Sequence, residues 1–97
     1  MLSQKDIIDK LKELKPFLKE EYGVKDIGLF GSFSQNQASE TSDIDLLVDY
    51  ERYLGWKTIH LGIYLEEIFD RKVDLVSRKA LKERIKDSIL NQVIFIR

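Results

Sequence analysis

Apolar positions recur at helical spacing over residues 3–22, where Ile7, Ile8, Leu11, Leu14 and Leu18 fall on one side of a helix. Ser3 with Asp6 three residues on predicts an N-cap, and Gly23 a C-terminal stop. Pro16 interrupts this stretch and is expected to kink it or split it into two short helices. The period then changes. Val24 to Phe30 reads as a strand carrying Ile27, Leu29 and Phe30, and Gly31-Ser32 breaks it. Residues 33–42 are small and polar, fit for a short helix or a loop. Asp43 to Asp49 holds the strongest strand signal in the chain. From Gly55 to Asp70 helical spacing returns, with Leu61, Tyr64, Leu65, Ile68 and Phe69 on one side. Trp56, Ile59 and Ile63 widen that apolar surface, and Trp56 and Tyr64 are expected in the core or an interface. Lys72 to Val76 predicts a third strand. Ser77 can cap a helix over 78–90 that carries Leu81, Ile85 and Ile89, and Val93–Ile96 reads as a short strand or docking segment.

The order α, β, short α, β, α, β, α and a closing β predicts an α/β (α+β) fold, a small mixed sheet flanked by helices. With 97 residues there is room for one hydrophobic core, hence one domain over 1–97. No chain is left for a separate acceptor-binding lobe, so a partner or an oligomer, homo- or hetero-, would complete any substrate site.

Composition narrows the chemistry. Apolar residues are 43% and charged residues 34% of the chain, which suits a folded globular protein. Sixteen Lys and Arg against seventeen Asp and Glu leave a net charge of −1, so no overall positive field would hold long nucleic acid. There is no Cys and one His, which removes a disulfide framework, a cysteine nucleophile and a zinc site built on imidazoles. No apolar run approaches the roughly 20 residues that cross a bilayer, and the N-terminus lacks a signal-peptide core. The expectation is a cytoplasmic protein with no membrane contact. Charge is uneven, however. Residues 40–54 carry five acidic side chains against Arg52 alone, and residues 71–97 carry eight basic against three acidic. An acidic centre beside a basic C-terminal third suits a metal–nucleotide site with an anionic ligand or partner nearby.

Three features coincide in that centre: Gly31-Ser32 at the end of a strand, Asp43-Ile44-Asp45 on the next and Asp74 inside a third. Strand residues two apart point to the same face about 6–7 Å apart, so Asp43 and Asp45 can aim both carboxylates at one point. Oxygen ligands select hard ions, Mg²⁺ or Mn²⁺, and such ions can clamp the oxygens of a phosphoryl or nucleotidyl transfer. If its strand lies beside that of Asp45, Asp74 becomes a third ligand or the base for the nucleophile's proton. Gly31 allows close backbone approach, and Ser32 offers a hydroxyl and an N–H to a phosphate oxygen.

Gly31-Ser32, ten residues, then Asp43-Ile44-Asp45 resembles the signature of the DNA polymerase β-type nucleotidyltransferase superfamily. Leu29-Phe30-Gly31-Ser32-Phe33, Ser42 to Asp49 and Lys72 to Val76 resemble its minimal (MNT) branch, and the likeness covers nearly the whole chain. The resemblance implies Mg²⁺-dependent transfer of a nucleoside monophosphate, AMP from ATP, with Asp43, Asp45 and Asp74 as metal ligands and catalytic carboxylates and Gly31 and Ser32 on the nucleotide. It further implies an antitoxin paired with a HEPN-domain ribonuclease toxin, inactivated by adenylylation of a tyrosine. A binding antitoxin without catalysis and transfer to RNA or a small molecule are the alternatives. One departure stands out: many relatives continue Gly-Ser-x-Ala-Arg-Gly, whereas this chain reads Gly31-Ser32-Phe33-Ser34-Gln35-Asn36. Gln35 lacks the charged fork with which Arg binds phosphate.

Each motif has a plainer competitor. Asp74 could form a structural salt bridge with Lys72 or Arg78. Asp49 reads as a turn or cap, His60 as a packing or surface residue, and the basic run from Arg78 to Lys86 as a solvated helix face.

Overall fold

The structure, a computed structural model, describes residues 2–97. Helix α1 (Gln4–Tyr22) opens with a complete capping box, in which the Asp6 N–H donates to Ser3 Oγ and the Ser3 N–H to the Asp6 carboxylate. It ends on Gly23, whose left-handed backbone (φ 65°) lets its N–H reach the carbonyls of Leu18 and Lys19. Pro16 lies inside α1 without splitting it. Pro16 and Lys12 are both exposed, so the Lys12 carbonyl that the missing N–H would have bonded lies in an exposed stretch of the helix.

Strand β1 (Val24–Phe30) pairs antiparallel with β2 (Ile44–Tyr50), and β2 pairs parallel with β3 (Val73–Ser77) across helix α2 (Trp56–Phe69). A 3₁₀ turn (Arg78–Ala80) and helix α3 (Glu83–Gln92) then carry the chain to β4 (Ile94–Phe95), antiparallel on the other side of β1. The mixed sheet has the order β3-β2-β1-β4, which is the α/β (α+β) class that the sequence predicts.

Alternation along the strands sorts the core. Ile44, Leu46 and Val48 of β2 join Ile27 and Leu29 of β1 in one buried cluster with Ile7, Leu11 and Leu18 of α1 and Leu61, Leu65 and Phe69 of α2. The intervening residues Asp45, Leu47 and Asp49 therefore occupy the other face.

Two expectations need correction, and for two others one of the alternatives drops out. Residues 33–36 form turns and 37–39 have no regular structure, because Ser34 Oγ and the Ser34 and Gln35 amides all bond the Gly31 carbonyl and close a tight turn. Ser77 caps no helix with its side chain. A 3₁₀ turn intervenes, and α3 starts at Glu83 behind Lys82. Asp49 is a strand residue opposite Asp26 rather than a turn or cap. Trp56 is 83% exposed, so it lies outside the core, and Ile59 and Ile63 are exposed beside it.

Candidate active site

The sheet brings the sequence-predicted carboxylates to one end. Asp45 sits one residue into β2 and Asp74 one residue into β3, and the parallel register places them directly side by side. On its other flank Asp45 pairs with Phe30, the last residue of β1, so Gly31-Ser32 leaves the sheet immediately beside it. Gly31 has a positive φ of 76°, and a Cβ built on it would overlap the Asp45 Oδ2. Only glycine lets the turn pass this close to the carboxylate.

Asp43 lies one residue before β2 begins, so it is not a strand residue as the sequence pattern suggests. Its carboxylate faces Lys72 Nζ at 3.9 Å, a loose and largely solvated pair. Lys72 therefore pairs with Asp43 and not with Asp74. Asp74 is exposed and makes no ion pair among the described residues, which leaves its carboxylate available.

The Asp45 carboxyl titrates above its ordinary value, first because burial penalises its charge and then because Asp74 and Asp43 repel it. This concentration of like charge is what a divalent cation relieves. As the side chains stand, no three carboxylates or imidazoles among the described residues close into one ligand group. The donor chemistry of Asp43, Asp45 and Asp74, all hard oxygens with Asp45 strained by its neighbours, fits Mg²⁺ or Mn²⁺.

Side chains that the sequence did not single out hold the long loop between the turn and Asp43. Gln92, at the end of α3, accepts the Gly31 N–H on its Oε1 at 2.8 Å. Gln4, in the first turn of α1, donates to the carbonyls of Phe33 and Ser34 at 3.1 and 3.0 Å. Arg71, between α2 and β3, donates to the carbonyls of Ser39 and Ser42 at 3.1 and 2.9 Å. No motif announces these residues, because each acts across 29 to 61 positions of sequence. His60 bonds the Tyr22 hydroxyl through Nδ1 at 2.9 Å, a packing role in keeping with its sequence reading.

Residues 11–96 match the nucleotidyltransferase domain family. The chain belongs to that family. Protein adenylyltransferase MntA of Thermococcus cleftensis is 39% identical over 97 residues, covering 99% of this chain and 98% of the relative. Among solved structures, one described as a minimal nucleotidyltransferase superposes with a TM-score of 0.79 at 28% identity, covering 96% of this nucleotidyltransferase and 95% of its counterpart. A chain of a toxin–antitoxin complex with AMP-PNP superposes at 0.71 and 27% identity, covering 99% of this chain and 73% of that one. The fold of this nucleotidyltransferase is thus that of the minimal branch.

Proposed function

We propose that this nucleotidyltransferase transfers AMP from ATP to a hydroxyl of a partner protein, a tyrosine of a HEPN-type toxin, and acts as its antitoxin. The observation that carries the reading is the side-by-side placement of Asp45 and Asp74, with the glycine turn against Asp45. The adenylyl donor and protein acceptor draw support from the activity named for the Thermococcus cleftensis relative. The antitoxin role draws support from the toxin–antitoxin complex with AMP-PNP that shares the fold.

In this reading Gly31 brings the backbone close to the triphosphate, and Ser32 gives its hydroxyl and N–H to a phosphate oxygen. Asp43, Asp45 and Asp74 would hold Mg²⁺, which supplies positive charge against the phosphate oxygens when bound. The acceptor oxygen attacks the α-phosphorus, the bond from that phosphorus to the bridging oxygen of the β-phosphate breaks, and pyrophosphate leaves. Asp74, the most exposed of the three carboxylates, takes the proton of the incoming hydroxyl. The acceptor protein supplies its own positioning surface.

A toxin-neutralisation assay separates this enzyme from an antitoxin that works by contact alone. Asp43→Asn/Asp45→Asn should abolish protection of growth while leaving partner binding intact. Full protection by the double variant would overturn the catalytic reading in favour of stoichiometric binding.

A further inference from the structure

Asp43 stands just ahead of the β2 ladder, so the sheet does not fix it in the way it fixes Asp45. The bonds around it come from Arg71 and Lys72. Arg71 Nη1 donates to the Ser42 carbonyl at 2.9 Å, immediately before Asp43. The Ile44 N–H, immediately after it, donates to the Lys72 carbonyl at 3.0 Å, and Lys72 Nζ faces the Asp43 carboxylate. The same Arg71 Nη1 also donates to the Ser39 carbonyl at 3.1 Å, and its guanidinium carbon lies 5.4 Å from the centre of the Phe33 ring. Phe33 is buried and adjoins Ser32. One guanidinium therefore touches both ends of the loop that separates the glycine turn from Asp43.

We propose that Arg71 is a positioning residue for the transfer reaction, fixing Asp43 relative to the Gly31-Ser32 turn by holding the Ser39 and Ser42 carbonyls over Phe33. The inference rests on the reading of Asp43 as a ligand of the metal–nucleotide complex. A planar, always-charged donor suits the task, because its Nη1 alone serves two carbonyls while the guanidinium lies over a ring. The loop carries Gln35 where many relatives carry arginine, so here a cation reaches the loop from the α2–β3 turn and spends its donors on backbone rather than on phosphate. Outer groups that orient a metal ligand commonly change metal affinity by about 10- to 100-fold when removed.

The test compares wild type, Arg71→Gln, Arg71→Lys and Asp43→Asn/Asp45→Asn for binding of a fluorescent ATP analogue with Mg²⁺. Hydrogen exchange of the 39–43 backbone is followed in parallel, well below each melting temperature. Arg71→Gln should exchange faster and bind about tenfold more weakly, and Arg71→Lys should recover part of both. If exchange rises while the Kd stays within about twofold of wild type, Arg71 merely fastens the loop and the proposal is overturned. If Arg71→Gln does not fold, Arg71→Lys decides. Weaker binding that accompanies faster exchange supports the proposal, and wild-type binding overturns it. A wild type that binds no better than the double Asp variant would sink the reading of Asp43 and Asp45 itself, and the proposal with it.

Discussion

Replacing Gly31 by alanine puts the link between the turn and the carboxylate to a quantitative test. The residue's φ of 76° costs an L side chain about 1–2 kcal/mol. The new Cβ would also overlap the Asp45 Oδ2. The Asp45 backbone is held in the ladder on both sides, by Phe30 and Asp74, so its side chain must swing away, at about 0.5–1.5 kcal/mol for a displaced rotamer. Gly31→Ala should therefore destabilise by about 1.5–3.5 kcal/mol, a large share of the roughly 5–15 kcal/mol of a small domain. In an Asp45→Ala background the overlap with Oδ2 and Cγ is gone, and what remains is the backbone cost, about 1–2 kcal/mol, with a close 3.2 Å approach to the Cβ of residue 45. Urea unfolding followed by far-UV circular dichroism on the four chains yields the coupling directly. A coupling near 1 kcal/mol is expected, against a non-interacting limit of about 0.3–0.5 kcal/mol. Coupling inside that limit would show that Gly31 is required for its backbone alone and that the turn does not press on Asp45.

Other expectations follow from the same site. Because the Asp45 carboxyl binds its proton more tightly folded than unfolded, stability falls as pH rises from the ordinary carboxylate range through its raised value, and it stays lowered above. Asp45→Asn should thus melt higher than wild type at neutral pH, with the gain shrinking on acidification below the ordinary range; a gain that persists there would refute the electrostatic cause. Adding Mg²⁺ at neutral pH should raise the melting temperature of wild type and leave Asp43→Asn/Asp45→Asn unmoved, and equal shifts in both would place the cation elsewhere. Gln92→Ala removes the acceptor of the Gly31 N–H and should cost about 1 kcal/mol, with faster exchange of the Gly31 amide in NMR spectra. An unchanged amide would mean that Gln92 does not hold the turn in solution.

The sequence made the elements legible where short-range physics decides them. The Ser3–Asp6 capping box, the Gly23 stop and the periodic apolar faces of α1 and the strands are local, and all are present. The register of Asp45 with Asp74 follows once β2 and β3 are parallel neighbours, and two short apolar strands flanking a helix already suggest that arrangement. Pro16 does not split α1, because a helix-breaking residue on an exposed stretch is tolerated when the α1 face that includes Leu11 and Leu18 is packed. Ser77 misled because a capping residue type does not by itself fix where a helix starts, and here Arg78–Ala80 turn first as a 3₁₀ segment. Trp56 reads as core or interface, and helix phase excludes the core by turning it outward while Leu61 and Leu65 are buried. Asp43 reads as a strand residue because its alternation with Asp45 continues the β2 pattern, although the strand starts at Ile44. Gln4, Arg71 and Gln92 were illegible for a different reason. Their role is to bond backbone atoms of a distant loop, and only the assembled fold says which carbonyl or amide a glutamine or arginine will meet.

Catalysis at the Asp43, Asp45 and Asp74 site is measured most directly by transfer of label. Wild type and Asp43→Asn/Asp45→Asn would be incubated with α-labelled ATP, Mg²⁺ and lysate of the source cell enriched in co-purifying protein. A labelled protein band formed by wild type and absent with the double variant is the predicted result. Label that appears equally with both proteins, or with neither while a partner is demonstrably bound, would contradict it.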